Sequence, residues 1–206
     1  MNLATGRRTH RPQILALAAL TLVGGALAAG CGPAVPNITV MSPGTPTPAS
    51  DMATIVVVQP TTHFPSVSIV DGNARLLGQL NDRSYTVFQV PPGQVRLYAF
   101  WENQIKGADR VEGVVQAGKI YYTTISFRWG GVSFLALNQR SPDGRWAQKD
   151  EYLGKAPRVQ MDPAKSAEVL QKIGTPPAMF QYADENVSKM DAAHQAERVI
   201  QAQDGV

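Results

Sequence analysis

Cysteine is nearly absent from this 206-residue chain. Cys31 is the only one, so no intramolecular disulfide can form and no thiolate cluster can hold zinc. Histidine is almost as scarce: His10, His63 and His194 stand far apart, where a metal site needs three or four convergent ligands. No metal and no other cofactor is expected. Long apolar runs are also missing. The longest, residues 14–29, is interrupted by Gly24-Gly25 and falls short of the ~20 residues that span a bilayer. An excess of one charge is missing too, once the chain is divided at the cysteine. Of 19 Lys and Arg, Arg7, Arg8 and Arg11 precede Cys31, where no acidic residue occurs, which leaves 16 basic against 16 acidic residues beyond it. Net charge therefore gives no argument for nucleic-acid binding. Catalytic patterns fail on single residues. Residues 113–119 begin like a phosphate loop, but Ile120 stands where a hydroxyl should meet Mg²⁺. Gly131-Val132-Ser133 begins like a nucleophile elbow, but Leu135 replaces its closing glycine. No enzyme is expected.

What is present is first an export signal. A basic start, an apolar middle and the small residues Ala28-Ala29-Gly30 follow one another in the order of a secretory signal. Thr9-His10 after Arg7-Arg8 depart from the twin-arginine pattern, so the general secretory route is expected. Leu27-Ala28-Ala29-Gly30-Cys31 resembles the lipobox of bacterial lipoproteins, with Ala28 where that family usually carries leucine. The resemblance implies a diacylglycerol thioether on Cys31, cleavage between Gly30 and Cys31, acylation of the new amino terminus, and partnership with a membrane. Gly32 rather than Asp follows, which in a two-membrane host implies the periplasmic face of the outer membrane. A signal cut elsewhere, an uncleaved anchor and a cysteine of the core are the alternatives that the segment admits.

The expected division is residues 1–30 as signal peptide, 31–52 as lipidated cysteine and proline-rich tether, 53–140 as a β-sandwich, and 141–206 as a polar loop with a helical tail. Pro33, Pro36, Pro43, Pro46 and Pro48 favour extended structure in the tether. Residues 53–59 form a β-branched run that reads as a buried strand. Asp71-Gly72-Asn73 between residues 67–70 and 74–80 is a hairpin signal, and Pro91-Pro92-Gly93-Gln94 between 85–90 and 95–101 is a stronger one. Residues 110–116, 119–127 and 132–138 complete seven or eight short strands, which suggests a mainly β fold, an antiparallel sandwich. A polar loop is expected from 139 to 161. Asp162-Pro163 should open a helix closed by Gly174, and residues 185–203 should form a second, loosely attached one.

The sequence of lipobox, tether, β-branched run, Asp-Gly hairpin, Val90-Pro91-Pro92-Gly93 and Lys119-Ile120-Tyr121-Tyr122 is similar to an uncharacterised lipoprotein domain akin to the PEGA and carboxypeptidase-regulatory-like sandwiches. That resemblance implies no catalytic residue. It leaves an interaction or accessory module whose partners are envelope proteins, or alternatively a module binding cell-wall glycan or another small ligand through exposed aromatics. Trp129, before Gly130-Gly131, and Trp146, in the polar loop, are the candidate binding aromatics. Trp101 is expected to fill the core.

Overall fold

Alternation of side chains across a strand explains the central element. In β2 (Ala53–Gln59) every residue is buried, and the two faces enter different clusters. Ala53, Ile55 and Val57 join one core, and Val56 and Val58 join another on the opposite side. A strand covered on both faces reads as an unbroken apolar run, as this one does.

The computed structural model describes residues 37–61, 66–101, 107–128, 131–141, 144–173 and 176–206; Gly30, Cys31, His63 and Trp129 lie outside them. Besides β2, the strands in chain order are β1 (Ile38–Met41), β3 (Val67–Asp71), β4 (Leu76–Leu80), β5 (Ser84–Val90), β6 (Gly93–Trp101), β7 (Asp109–Val115), β8 (Ile120–Arg128), β9 (Gly131–Leu137), β10 (Arg158–Met161) and β11 (Val199–Ile200). The helices are α1 (Arg145–Lys155), α2 (Ser166–Ile173), α3 (Pro176–Ser188) and α4 (Ala192–Ala196). The fold is mixed α/β, with one sheet ordered β1-β10-β5-β2-β8-β9, a second ordered β11-β7-β6-β3-β4, and the helices in the C-terminal part.

The two sheets share one core. Ile55, Val57, Tyr121, Ile125 and Phe134 of the first meet Val67, Ile69, Leu97, Ala99 and Val111 of the second. Each sheet also has an outer apolar face covered by helices. Leu153 of α1 packs with Val56, Val58 and Tyr122, while Val169 of α2 and Met179 and Ala183 of α3 pack with Val70, Tyr98 and Phe100. Phe180 stacks on Tyr98 with ring centres 4.1 Å apart, and Arg110 pairs with Asp184 at 2.7 Å beside them. Burial would raise the pKa of Glu112 at this seam, but Arg110 and Arg96 outweigh it and hold the carboxyl below its usual range.

Eleven strands among the described residues replace the expected seven or eight, and the pairing is not purely antiparallel. β2 runs parallel to β8, β10 to β5, and β11 to β7. The Asp-Gly hairpin forms as expected between β3 and β4. Its left-handed residue is Ala74, at φ +61°, held there while Asp71 accepts hydrogen bonds from the amides of Asn73 and Arg75. The chain bends at Pro92, with Gly93 at φ +118°, but the expected hairpin does not form, because β5 and β6 belong to different sheets. The link between β7 and β8 likewise changes sheet. Turn residues specify that a chain reverses; they do not specify whether the next strand hydrogen-bonds alongside or packs across the core.

Two segments expected to be loose are part of the body. Within the expected tether, β1 pairs antiparallel with β10, Pro46 is buried, and the Tyr85 hydroxyl donates to the Gly44 carbonyl and accepts from the Gly44 amide, both at 2.8 Å. At the other end, α3 starts at Pro176, where proline suits a first turn, so the helix lies earlier than the one expected over 185–203. The chain then enters β11 beside β7, and Val206 exchanges backbone hydrogen bonds with Ile120 at 3.1 and 2.8 Å. The expected opening of α2 is present: the Asp162 side chain accepts from the Ala164 amide before Pro163–Lys165.

Candidate functional site

Trp146, one of the two aromatics singled out in the sequence, lies in the first turn of α1 rather than in a loop. Gly144 opens that helix at φ +70°. The indole is half-buried and meets Tyr122 edge-on, with ring centres 5.7 Å apart. Lys149 sits one turn further along, its Nζ 4.6 Å from the Trp146 ring centre and 4.8 Å from that of Tyr122. The lysine stem is nearly buried and the ammonium reaches Asp150 at 2.5 Å. The ring thus packs α1 onto β8. Trp146→Ala is expected to cost about 2 kcal/mol, less than the ~3–5 kcal/mol of a fully buried tryptophan, measured by urea unfolding. Trp129 lies outside the described residues. His194 is exposed and pairs with Asp191, which caps α4.

The same helix borders a groove of about 560 Å³, lined by Arg83, Gln148, Glu151, Tyr152, Lys155 and Pro157. Tyr152 donates to the Gln59 carbonyl at 2.5 Å, and burial pushes its phenol pKa up although Arg83 pulls the other way. It remains a neutral donor. Lys155 is occupied by Glu151 at 2.6 Å. Among the described residues no group of three or more His, Cys, Asp or Glu side chains is placed to hold a metal.

A different arrangement lies at the end of the shared core where β2, β4 and β6 finish and β3 and β5 begin. The registers bring Gln59 beside Ser84, and Val67 beside both Leu80 and Trp101. Gln59 shares the inward face of Ile55 and Val57 and is fully buried. Both polar atoms of its side chain lack a hydrogen-bond partner, as do Trp101 Nε1, Thr61 Oγ1 and Asn81 Oδ1. Trp101 stacks on Phe127 at 5.4 Å. Amide, hydroxyl and indole groups of this kind suit water or an uncharged polar ligand; these four side chains, at the same end of the strands, carry no charge to recognise an anion.

No family model matches this chain, and no curated protein matches it.

Sequence reasoning assigned Trp101 to core filling and passed over Gln59 altogether. The signal was a polar residue at an inward position of a β-branched run. Unpaired buried amides are costly, so Gln59→Leu is expected to raise unfolding free energy by about 1–2 kcal/mol in chemical denaturation.

Proposed function

We propose that this chain is a lipid-anchored protein of the cell envelope whose body, a β-sandwich flanked by helices, is a non-enzymatic interaction or accessory module. The observation that carries this is the order at the amino terminus: three arginines, an apolar segment, Ala28-Ala29-Gly30, then the single cysteine. The charge balance beyond Cys31 is consistent with it, since net charge gives no argument for nucleic-acid binding. Among the described residues no helix is long and apolar enough to cross a membrane. Two or more acyl chains on one residue anchor stably, because burial gains about 0.8 kcal/mol per CH₂ and one chain alone is marginal. Partners of the body are then envelope proteins, met through sheet edges such as β1, which can accept a further strand. The test is fractionation of the producing cells: wild type sediments with membranes, and Cys31→Ser moves to the soluble fraction. Wild type found soluble would end the proposal.

A second reading, small-ligand or glycan binding, is favoured by the unpaired Gln59 and Trp101 groups. Titration with N-acetylglucosamine should shift the Trp101 indole N–H resonance saturably. An unmoved resonance would remove that reading.

A further inference from the structure

We infer that the groove beside α1 binds an organic monoanion, a carboxylate carried on an apolar group, with Arg83 as the residue that recognises the charge. The inference stands apart from the reading of Cys31 as a lipid anchor. One wall of the groove is a helix face: Gln148, Glu151, Tyr152 and Lys155 recur every three or four residues along α1. Arg83, in the turn between β4 and β5, lines it too, together with Ala156 and Pro157. At about 560 Å³ the groove has the size of a small-molecule site. Its aromatic wall is held in place, because the Tyr152 hydroxyl reaches the carbonyls of Gln59 at 2.5 Å and Ser84 at 3.3 Å.

Arg83 stands out in backbone and in charge. Its φ is +44°, left-handed backbone that glycine or asparagine adopts at less cost than arginine. The turn fixes it there. The Arg83 amide donates to the Thr61 carbonyl at 3.0 Å, and the Ser84 hydroxyl donates to the Asn81 carbonyl at 2.7 Å while accepting from the Asn81 amide at 3.2 Å. A long cation kept at a position that favours glycine points to a use for its side chain. Among the described residues no carboxylate pairs with Arg83, whereas Glu151 is taken by Lys155 at 2.6 Å. Two cations against one carboxylate leave the groove a single positive charge in excess. That balance selects a monoanion over a phosphate dianion, and a planar guanidinium matches both oxygens of a carboxylate. The Tyr152 ring, Ala156 and Pro157 take the apolar part.

The experiment uses the intact mature protein in mild detergent, so that its outcome does not depend on whether Cys31 carries lipid. Assigned amide signals are followed during titration with phenylacetate, phenylacetamide, inorganic phosphate, and a short peptide ending in phenylalanine with a free carboxylate. Saturable shifts at residues 83 and 152 with phenylacetate or with the peptide are expected, and whichever of the two binds more tightly identifies the source of the carboxylate as a free acid or a chain end. Arg83→Gly should weaken that binding about tenfold or more, the loss of a charge-assisted hydrogen bond. It should unfold at the same or a higher urea concentration, since glycine takes this φ freely. Arg83→Gln, which keeps the side-chain length without the charge, gives the same reading should the glycine variant be unstable. No shift with either carboxylate, phenylacetamide or phosphate binding as tightly as phenylacetate, or unchanged binding in both variants would overturn the inference.

Discussion

Asp109→Ala should lower the unfolding free energy by about 3–5 kcal/mol, the range for breaking a buried ion pair from one side. Asp109 is fully buried and Arg198 is 3% exposed. The guanidinium approaches both carboxylate oxygens from Nε at 3.0 Å and one of them from Nη2 at 2.8 Å. The amides of Phe134 and Arg110 also donate to the carboxylate, each at 2.8 Å, and Arg198 Nη1 donates to the His194 carbonyl at 2.7 Å. Removing the carboxylate strands a buried cation and unpairs two amides. Arg198→Ala strands only the anion, whose amide donors remain, so its cost should be the smaller of the two. The double variant Asp109→Leu with Arg198→Met should recover part of the loss, since apolar replacement of both partners removes the uncompensated charge. Urea unfolding of the three variants checks this order; a cost below about 1 kcal/mol for Asp109→Ala, the range of surface pairs, would mean that the pair is hydrated.

Gly113→Ala should act on the same segment by steric means. Gly113 lies opposite Ile200 in the parallel pair of β7 and β11, and a Cβ placed on it would come within 1.8 Å of the Ile200 carbonyl oxygen. That atom is backbone, so no rotamer change can clear it; β11 must move. The expected cost is about 3 kcal/mol or more, in the tail of single-substitution effects. Amide exchange should rise first across residues 199–206. Gly72→Ala is the control, because nothing lies within 4 Å of its added Cβ and its φ is ordinary. An unchanged tail in Gly113→Ala would show that the C-terminal residues are not clamped as described.

These two sites explain part of what the sequence concealed. The C-terminal tail looked loose because residues 185–203 carry no full apolar stripe, yet it is held by one buried arginine, one inserted Ile200 and backbone pairing to β7, none of which has a helical period. Helix α1 was hidden for a related reason. Its inward stripe is Trp146, Lys149 and Leu153, and a lysine in such a stripe breaks the hydrophobic pattern although its stem packs like an aliphatic chain. Strands β2 to β9 were legible because each combines β-branched or aromatic residues with a defined turn or proline. Their partners were less so. A parallel neighbour such as β8 beside β2 arrives from 60 residues away, and β1 and β10 are each four residues long, too short for a periodic signal.

The candidate site was legible in kind rather than in place. Reading aromatics as recognition groups assumed that they lie on the surface, whereas Trp146 packs α1 against Tyr122 and the unpaired indole N–H belongs to Trp101, at the end of β6. Gln59 left only a positional signal, one amide at the end of a run of valines already read as a buried strand. The proposed anchor is the reverse case. Its residues are wholly sequential and its chemistry is local, which is why the amino-terminal stretch speaks most directly about function.

The central claim is that a thioether-linked diacylglycerol on Cys31 holds this body at a membrane. Mass analysis of the amino-terminal proteolytic peptide from the native membrane fraction tests it most directly. The expected peptide begins at Cys31 and carries the added mass of diacylglycerol, with or without a further acyl chain, and disappears in Cys31→Ser. A peptide with an unmodified thiol at position 31, or a mature terminus at another residue, would contradict the account.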